Sequence, residues 1–204
     1  MRINKKKFIY LISPNKIYPE FYHDLNQILR TGKVALFQLR LKKYSLKQKI
    51  VIGEKIQQIC KKNSIKFIVN DDPMLSKTLN ADGCHLGQKD MEIKKARKII
   101  GNKIIGVPCH NSIELAKAAI KENADYIAFG AFFSTKTKKV IFKADIKILN
   151  KIKKLTKTPI VAIGGINFDN YKKLLLNNAN LLAISSYVWN NKKYKPLETI
   201  EKLK

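Results

Sequence analysis

Several short stretches of this chain place polar and charged residues where they could handle a phosphate-bearing molecule, and each follows an apolar run. In Gln38-Leu39-Arg40-Leu41-Lys42 the polar residues alternate. Side chains of an extended strand alternate faces, so Gln38, Arg40 and Lys42 would share one. Three polar groups on one face of a buried strand are costly without a partner. An anionic ligand at the strand end is one such partner; an interior carboxylate facing Arg40 is the alternative. Asn70, Asp71 and Asp90 follow two successive apolar runs. Carboxylates held close repel unless protonated or bridged by a cation, and hard oxygen ligands suit Mg²⁺. Between Asp71 and Asp90, opposite Arg40 and Lys42, such an ion would bind a pyrophosphate. Helix capping competes for the same residues: Asp71 or Asp72, just before Pro73, could start a helix, which accounts for one acid and leaves the other unused.

Further along, Thr135-Lys136-Thr137-Lys138-Lys139 combines hydroxyls and ammonium groups suited to phosphate oxygens. Gly164-Gly165 and Ser185-Ser186 close two late apolar runs, where backbone N–H groups can take a second phosphate; a tight turn is the plainer account of the glycines. Two phosphate-suited regions imply two phosphorylated substrates. Cys84-His85 and Cys109-His110 invite a nucleophile–base pair, but neighbours in a strand face opposite ways. Satisfied core or rim histidines are the simpler assignment.

Positioning these residues requires a repeating scaffold. Eight strand-like runs are predicted: Phe8–Ile12, Ala35–Arg40, Lys66–Asn70, Gly83–His85, Ile104–Val107, Tyr126–Phe129, Ile160–Ile163 and Leu182–Ser185. Helical spacing lies between them. Leu46, Ile50, Gly53, Ile56 and Cys60 form an apolar stripe capped by Ser45; Ile113, Ala116, Ala119 and Ile120 form another, capped by Asn111 or Ser112. Asp169 and its neighbouring asparagines suit the first turn of a helix to Leu176, and Pro196 begins a closing helix through Leu203. Apolar strands alternating with helices make a parallel sheet, and eight units close most naturally into a single-domain α/β (β/α)8 TIM barrel over residues 1–204. An open doubly wound sheet is the alternative; no G-x-G-x-x-G follows any strand. In a barrel every polar strand end points to one rim, so scattered residues become one pocket.

A chain of 204 residues with 45% hydrophobic content can bury a sizeable core. Its formal charge of +26 suggests polyanion binding, but only four of the 41 basic residues are arginine and the lysines are spread over the whole chain. Arginine-rich readout with interleaved aromatics is missing, so no specific nucleic-acid partner is expected; the field would attract small anions. Three widely spaced cysteines, Cys60, Cys84 and Cys109, suit neither a disulfide framework nor a structural zinc site. No apolar run reaches membrane-spanning length and the first residues are not a signal peptide, so a soluble, cytoplasmic protein without membrane partners is expected. The oligomeric state is open, a homo-oligomer included.

Taken together, QLRLK at 38–42, VNDD at 69–72, ADGCHLGQKD at 81–90, ADYIAFGAFFSTKTKK at 124–139 and VAIGGI at 161–166 resemble thiamine phosphate synthases, with similarity from about Phe8 to the end. The resemblance implies a barrel enzyme that joins hydroxymethylpyrimidine pyrophosphate to a thiazole phosphate, carboxylated or not, with Mg²⁺ as cofactor. Gln38, Arg40, Lys42, Asn70 and Lys138 would hold the pyrimidine pyrophosphate; Arg40, Lys42, Asn70 and Lys138 would be catalytic. Asp71 and Asp90 would ligate Mg²⁺, and Thr135, Thr137, Gly165, Ser185 and Ser186 would bind the thiazole phosphate. Pyrophosphate would leave first, and the thiazole nitrogen would capture the pyrimidine cation.

Pro108 stands where such proteins usually have a substrate-contacting Ser or Thr, Leu41 replaces a common Glu, Asn180-Leu181 replaces Asp-Gly, and Ser134 replaces a Pro. A related thiazole tautomerase would keep the barrel and a histidine like His110 without the paired aspartates. A non-catalytic phosphate-ligand or polyanion-binding barrel would leave Asp71, Asp90 and Lys138 unexplained.

Overall fold

The computed structural model describes residues 6–134 and 143–204; Thr135, Thr137 and Lys138 lie outside them. Eight parallel strands close into a barrel in sequence order: β1 Ile9–Ile12, β2 Val34–Leu39, β3 Lys66–Asn70, β4 Gly83–His85, β5 Ile104–His110, β6 Tyr126–Gly130, β7 Ile160–Ile163 and β8 Leu181–Ile184. Helices α1 Phe21–Arg30, α2 Leu46–Lys62, α3 Pro73–Thr78, α4 Ile93–Ile100, α5 Ile113–Lys121, α6 Lys147–Lys153 and α7 Tyr171–Leu176 follow the first seven strands; α8 Ser186–Trp189 and α9 Pro196–Lys202 follow the last.

Period-two alternation divides the apolar residues. Tyr10, Leu36, Ile68, Tyr126, Val161 and Leu181 form one buried cluster inside the barrel. Their strand neighbours Leu11, Phe37, Val69, Ile127, Ala162 and Leu182 join a larger cluster with helical residues such as Leu25, Ile56, Ala96 and Leu149. Strands buried on both faces need apolar residues at nearly every position, which is how these runs read. Each fully buried Leu, Ile or Phe side chain contributes about 2 kcal/mol, so the outer layer dominates stability.

Local chemistry sets the ends. Ser45 begins α2 with a reciprocal capping box: its hydroxyl accepts from Gln48 N–H at 3.3 Å and its own N–H donates to Gln48 Oε1 at 2.9 Å. Ser112 caps α5. Asp72, not Asp71, caps α3, accepting from Leu75 N–H at 2.9 Å with Pro73 in the first turn. Beneath the barrel, Asp82, Asp125 and Asn180 each accept an N–H from the start of a strand, those of Phe67, Ile105 and Ile160, at 2.8–2.9 Å. That job needs an acceptor, not a charge, which accounts for asparagine at 180.

Two boundaries differ from expectation by more than one residue. Helix α7 starts at Tyr171, because Asn167, Asp169 and Asn170 form a tight turn instead: Asn167 Oδ1 accepts from Asp169 N–H and Asn170 Oδ1 from Asn167 N–H, both at 2.9 Å. Strand β5 runs beyond Val107 to His110, because a register shift between Pro108 and His110 absorbs the proline that lacks an N–H. Among the described residues, no helix is long and apolar enough to cross a membrane.

Candidate active site

The strand ends at one mouth of the barrel enclose a cavity of about 570 Å³. Gln38, Arg40, Lys42, Asn70, Asp71, Asp90, Pro108, Gly165, Ser185 and Ser186 all line it, so every described residue that the sequence assigned to substrate or metal reaches one space.

Its acidic side comes from adjacent strands, β3 and β4. Asp71 follows β3 in the left-handed region at φ 66°, its N–H donating to His85 C=O at 2.8 Å. Asp90 lies in the loop after β4, with Oδ2 accepting from Gly87 N–H at 2.7 Å. A Cβ on Gly87 would sit 2.6 Å from that oxygen and 3.9 Å from Asp71 Oδ1, so glycine leaves both carboxylates room to converge. Partial desolvation raises the Asp90 pKa, and the adjoining Asp71 carboxyl raises it further, against the Gly87 N–H and Lys42. Lys42 Nζ lies 3.3 Å from Asp71. An exposed pair of this kind is worth under about 1 kcal/mol, so it orients charge more than it stabilises the fold.

The cationic side departs from expectation at Gln38. Strand β2 ends at Leu39 and Gln38 is 2% exposed, its amide Nε2 donating to Tyr10 OH at 2.8 Å. Its partner is therefore a phenol of the barrel, while Arg40 and Lys42 continue past the strand to the rim. Among the described residues Arg40 pairs with no carboxylate, so the interior salt bridge is not formed. Ser13, 2% exposed and following β1, ties the ends of its two neighbouring strands, β2 and β8, together: its hydroxyl accepts from Arg40 N–H at 2.9 Å, and its carbonyl accepts from Ser185 Oγ at 3.2 Å.

On the third side Gly165 adopts φ 63°, and a Cβ there would overlap the Ser134 carbonyl oxygen. Only glycine lets this turn pass under the segment leading to residue 135. Asn170 Nδ2 donates to Gly165 C=O at 3.0 Å, so the Asn-rich turn before α7 braces the same loop. Pro108 lines the wall through its ring, and its carbonyl accepts from Gln88 Nε2 at 2.5 Å.

Sequence reasoning missed the floor. Tyr10, Tyr126 and His85 point inward beneath Gln38. Tyr10 OH and Tyr126 OH are 2.7 Å apart, and Tyr126 OH is 2.9 Å from His85 Nδ1. The imidazole stacks on the Tyr126 ring with centroids 5.7 Å apart, and a Cβ on Gly106 would overlap that phenol ring. The available signal was parity: Tyr10, Gln38, His85, Gly106 and Tyr126 all fall on inward positions of their strands. Burial pushes both phenols up, so they stay protonated, and pushes His85 down to about 4, so it is neutral. Burial also raises the thiols of Cys84 and Cys109, the latter to about 12, which removes them as nucleophiles at neutral pH.

Two carboxylates brought together beside a glycine, with the pKa of one raised by desolvation and then by the other, make a hard-oxygen donor pair fit for Mg²⁺, which the remaining coordination by water or ligand oxygens would complete. Among the described residues no cluster of three or more His, Cys, Asp or Glu side chains could hold a metal. Fold and site together define a (β/α)8-barrel enzyme whose single rim gathers cationic, acidic and hydroxyl groups around one cavity.

The family model for thiamine monophosphate synthase matches residues 9–188. A thiamine-phosphate synthase of Pelagibacter ubique is 64% identical over the whole of both chains, and one of Erythrobacter litoralis is 40% identical over 89% of this chain and 87% of its own. The structure of a thiamine phosphate pyrophosphorylase from Pyrococcus furiosus superposes with a TM-score of 0.84 at 31% identity, covering 98% of this chain and 94% of that one. The chain belongs to the thiamine monophosphate synthase family.

Proposed function

We propose that the protein condenses hydroxymethylpyrimidine pyrophosphate with hydroxyethylthiazole phosphate, or its carboxylated form, to give thiamine phosphate and pyrophosphate. The observation that carries this is the placement of Asp71, Asp90, Arg40 and Lys42 around one cavity that Gly165, Ser185 and Ser186 share. Cleaving the bond between the pyrimidine methylene and the diphosphate oxygen sends the electron pair to the leaving oxygen. The thiazole nitrogen lone pair then forms the new C–N bond, so no protein nucleophile is needed. Arg40 and Lys42, with Lys138, meet the negative charge that grows on the leaving diphosphate, and preorganised charge of this kind is the largest contributor in such sites. Asp71 and Asp90 would hold Mg²⁺, which when bound neutralises diphosphate oxygens. Asn70 and Gln38 orient the pyrimidine. Gly165, Ser185 and Ser186, with Thr135 and Thr137, take the thiazole phosphate, while Pro108 contributes an apolar wall in place of a hydroxyl.

Three buried free thiols fit work in a reducing, cytoplasmic compartment. Incubating the protein with both phosphorylated substrates and Mg²⁺ should yield thiamine phosphate and pyrophosphate in equal amounts, and chelation should stop it. Product formation indifferent to chelator removes the metal from the reaction. Rearrangement of a thiazole tautomer without coupling would assign the tautomerase activity instead.

A further inference from the structure

The floor of the cavity is a single file of hydrogen bonds: Gln38 Nε2 to Tyr10 OH at 2.8 Å, Tyr10 OH to Tyr126 OH at 2.7 Å, and Tyr126 OH to His85 Nδ1 at 2.9 Å. Protons in this file can be counted. An amide nitrogen only donates, so Tyr10 accepts from Gln38; among the described residues its hydroxyl meets no acceptor other than the Tyr126 oxygen, so its one proton goes there. Tyr126 then gives its one proton to His85 Nδ1, which must be the unprotonated nitrogen of a neutral imidazole. The ring proton is left on Nε2.

Both ends of the file open on the cavity, which Gln38 and His85 line. Among the described residues no hydrogen bond engages the Gln38 amide oxygen or His85 Nε2. Among the described residues no buried side-chain nitrogen or oxygen lacks a partner, so neither atom is sealed in the wall. The floor therefore presents an acceptor at one end and a donor at the other.

We propose that Tyr10, Tyr126 and His85 are positioning residues that lock the hydrogen-bonding sense of the floor, so that the cavity selects an aminopyrimidine edge over its oxo counterpart. An exocyclic amino group donates to the Gln38 oxygen, and a ring nitrogen accepts from His85 Nε2–H. In an oxo analogue a carbonyl replaces the amino group and a protonated ring nitrogen replaces the acceptor, so both contacts oppose like with like. Rotating the Gln38 amide to suit would require both phenol protons and the imidazole proton to move together. The file thus makes one local choice cost a collective rearrangement. This inference rests on the pyrimidine substrate assigned above.

Two measurements test it. Long-range ¹H–¹⁵N spectra of the ligand-free protein, with His85→Gln to assign the signal, should show His85 as the Nε2–H tautomer; an Nδ1–H tautomer reverses the file and overturns the proposal. That readout needs no substrate. In steady-state assays Tyr126→Phe should raise KM for the pyrimidine diphosphate about tenfold and narrow its discrimination against the oxo analogue by a similar factor, leaving KM for the thiazole phosphate within about twofold. Equal shifts in both KM values, or unchanged discrimination, overturn it. Tyr10→Phe breaks the file at another link and should give the same pattern, which covers a failure of Tyr126→Phe to fold. If the wild-type protein couples no substrates at all, the assigned reaction fails while the tautomer result still decides the proton count.

Discussion

Replacing Asp90 with asparagine separates charge from shape at the acidic corner. Asparagine keeps an oxygen for the Gly87 N–H, now 2.7 Å from Asp90 Oδ2, so the loop has no reason to move. What disappears is one of two facing negative charges. Repulsion between unit charges about 4 Å apart is about 1 kcal/mol in water and about 4 kcal/mol at the effective dielectric of a protein surface. Asp90 is exposed, so the lower figure applies. Without metal, Asp90→Asn should therefore be as stable as wild type or more so, by up to about 1 kcal/mol, which is about 2–4 °C in Tm for a chain of this length. Magnesium should invert the order. An ion at about ten times its Kd stabilises the folded state by about 1.4 kcal/mol, so wild type gains roughly 3–6 °C and the variant under about 1 °C. Thermal scans with and without about 10 mM magnesium read both effects. Coupling activity should fall about a hundredfold or more. An equal magnesium increment in the two proteins refutes the paired-acid site, and a lower metal-free Tm for the variant refutes the repulsion argument.

Three further outcomes are expected. Burial lowers the His85 pKa from 6.5 to about 4, so in that window the unfolded chain binds a proton that the folded chain does not. Stability should then fall as pH drops from about 6.5 towards 4, by up to about 3 kcal/mol, and His85→Gln should flatten that part of a urea-denaturation series. Lys33 Nζ donates to the carbonyls of Ile200, Glu201 and Leu203 at 2.9–3.1 Å, so Lys33→Met should cost about 2 kcal/mol of unfolding free energy in a urea-denaturation series and leave KM values unchanged. Gly165→Ala must hold φ near 63° and displace the Ser134 carbonyl, so KM for the thiazole phosphate should rise about tenfold or more while magnesium stabilisation persists.

The barrel was legible because its strands are apolar at nearly every position and stop at chemistry-bearing residues. Eight apolar runs, separated by helix-length intervals, leave little choice of topology. Within the site, Asp71 and Asp90 were legible as a pair because their strands are consecutive, and consecutive parallel strands of a barrel are neighbours. Gln38 was legible as an inward residue by parity, but not as the end of a buried file, since its partners are 28 residues away at Tyr10 and, beyond that, 116 residues further at Tyr126. Hydrogen bonds over such separations leave no local pattern. Pro108 argued for an earlier end to β5 through its missing N–H; the register shift that accommodates it depends on how β6 lies alongside, which no local pattern encodes. Asp71 and Asp72 could each have capped α3, and the choice turned on a backbone torsion.

Below the floor the barrel is filled with Leu36, Ile68 and Leu181, while the C-terminal helix is fastened across that end through Lys33. Among the described residues the chamber therefore has one doorway. Everything that enters must come out the way it went in, past the same lysine and arginine that drew it there. A field strong enough to gather multiply charged guests also slows their departure, so turnover in this protein should be governed by eviction of the spent diphosphate, and rising ionic strength should quicken it before weakening capture.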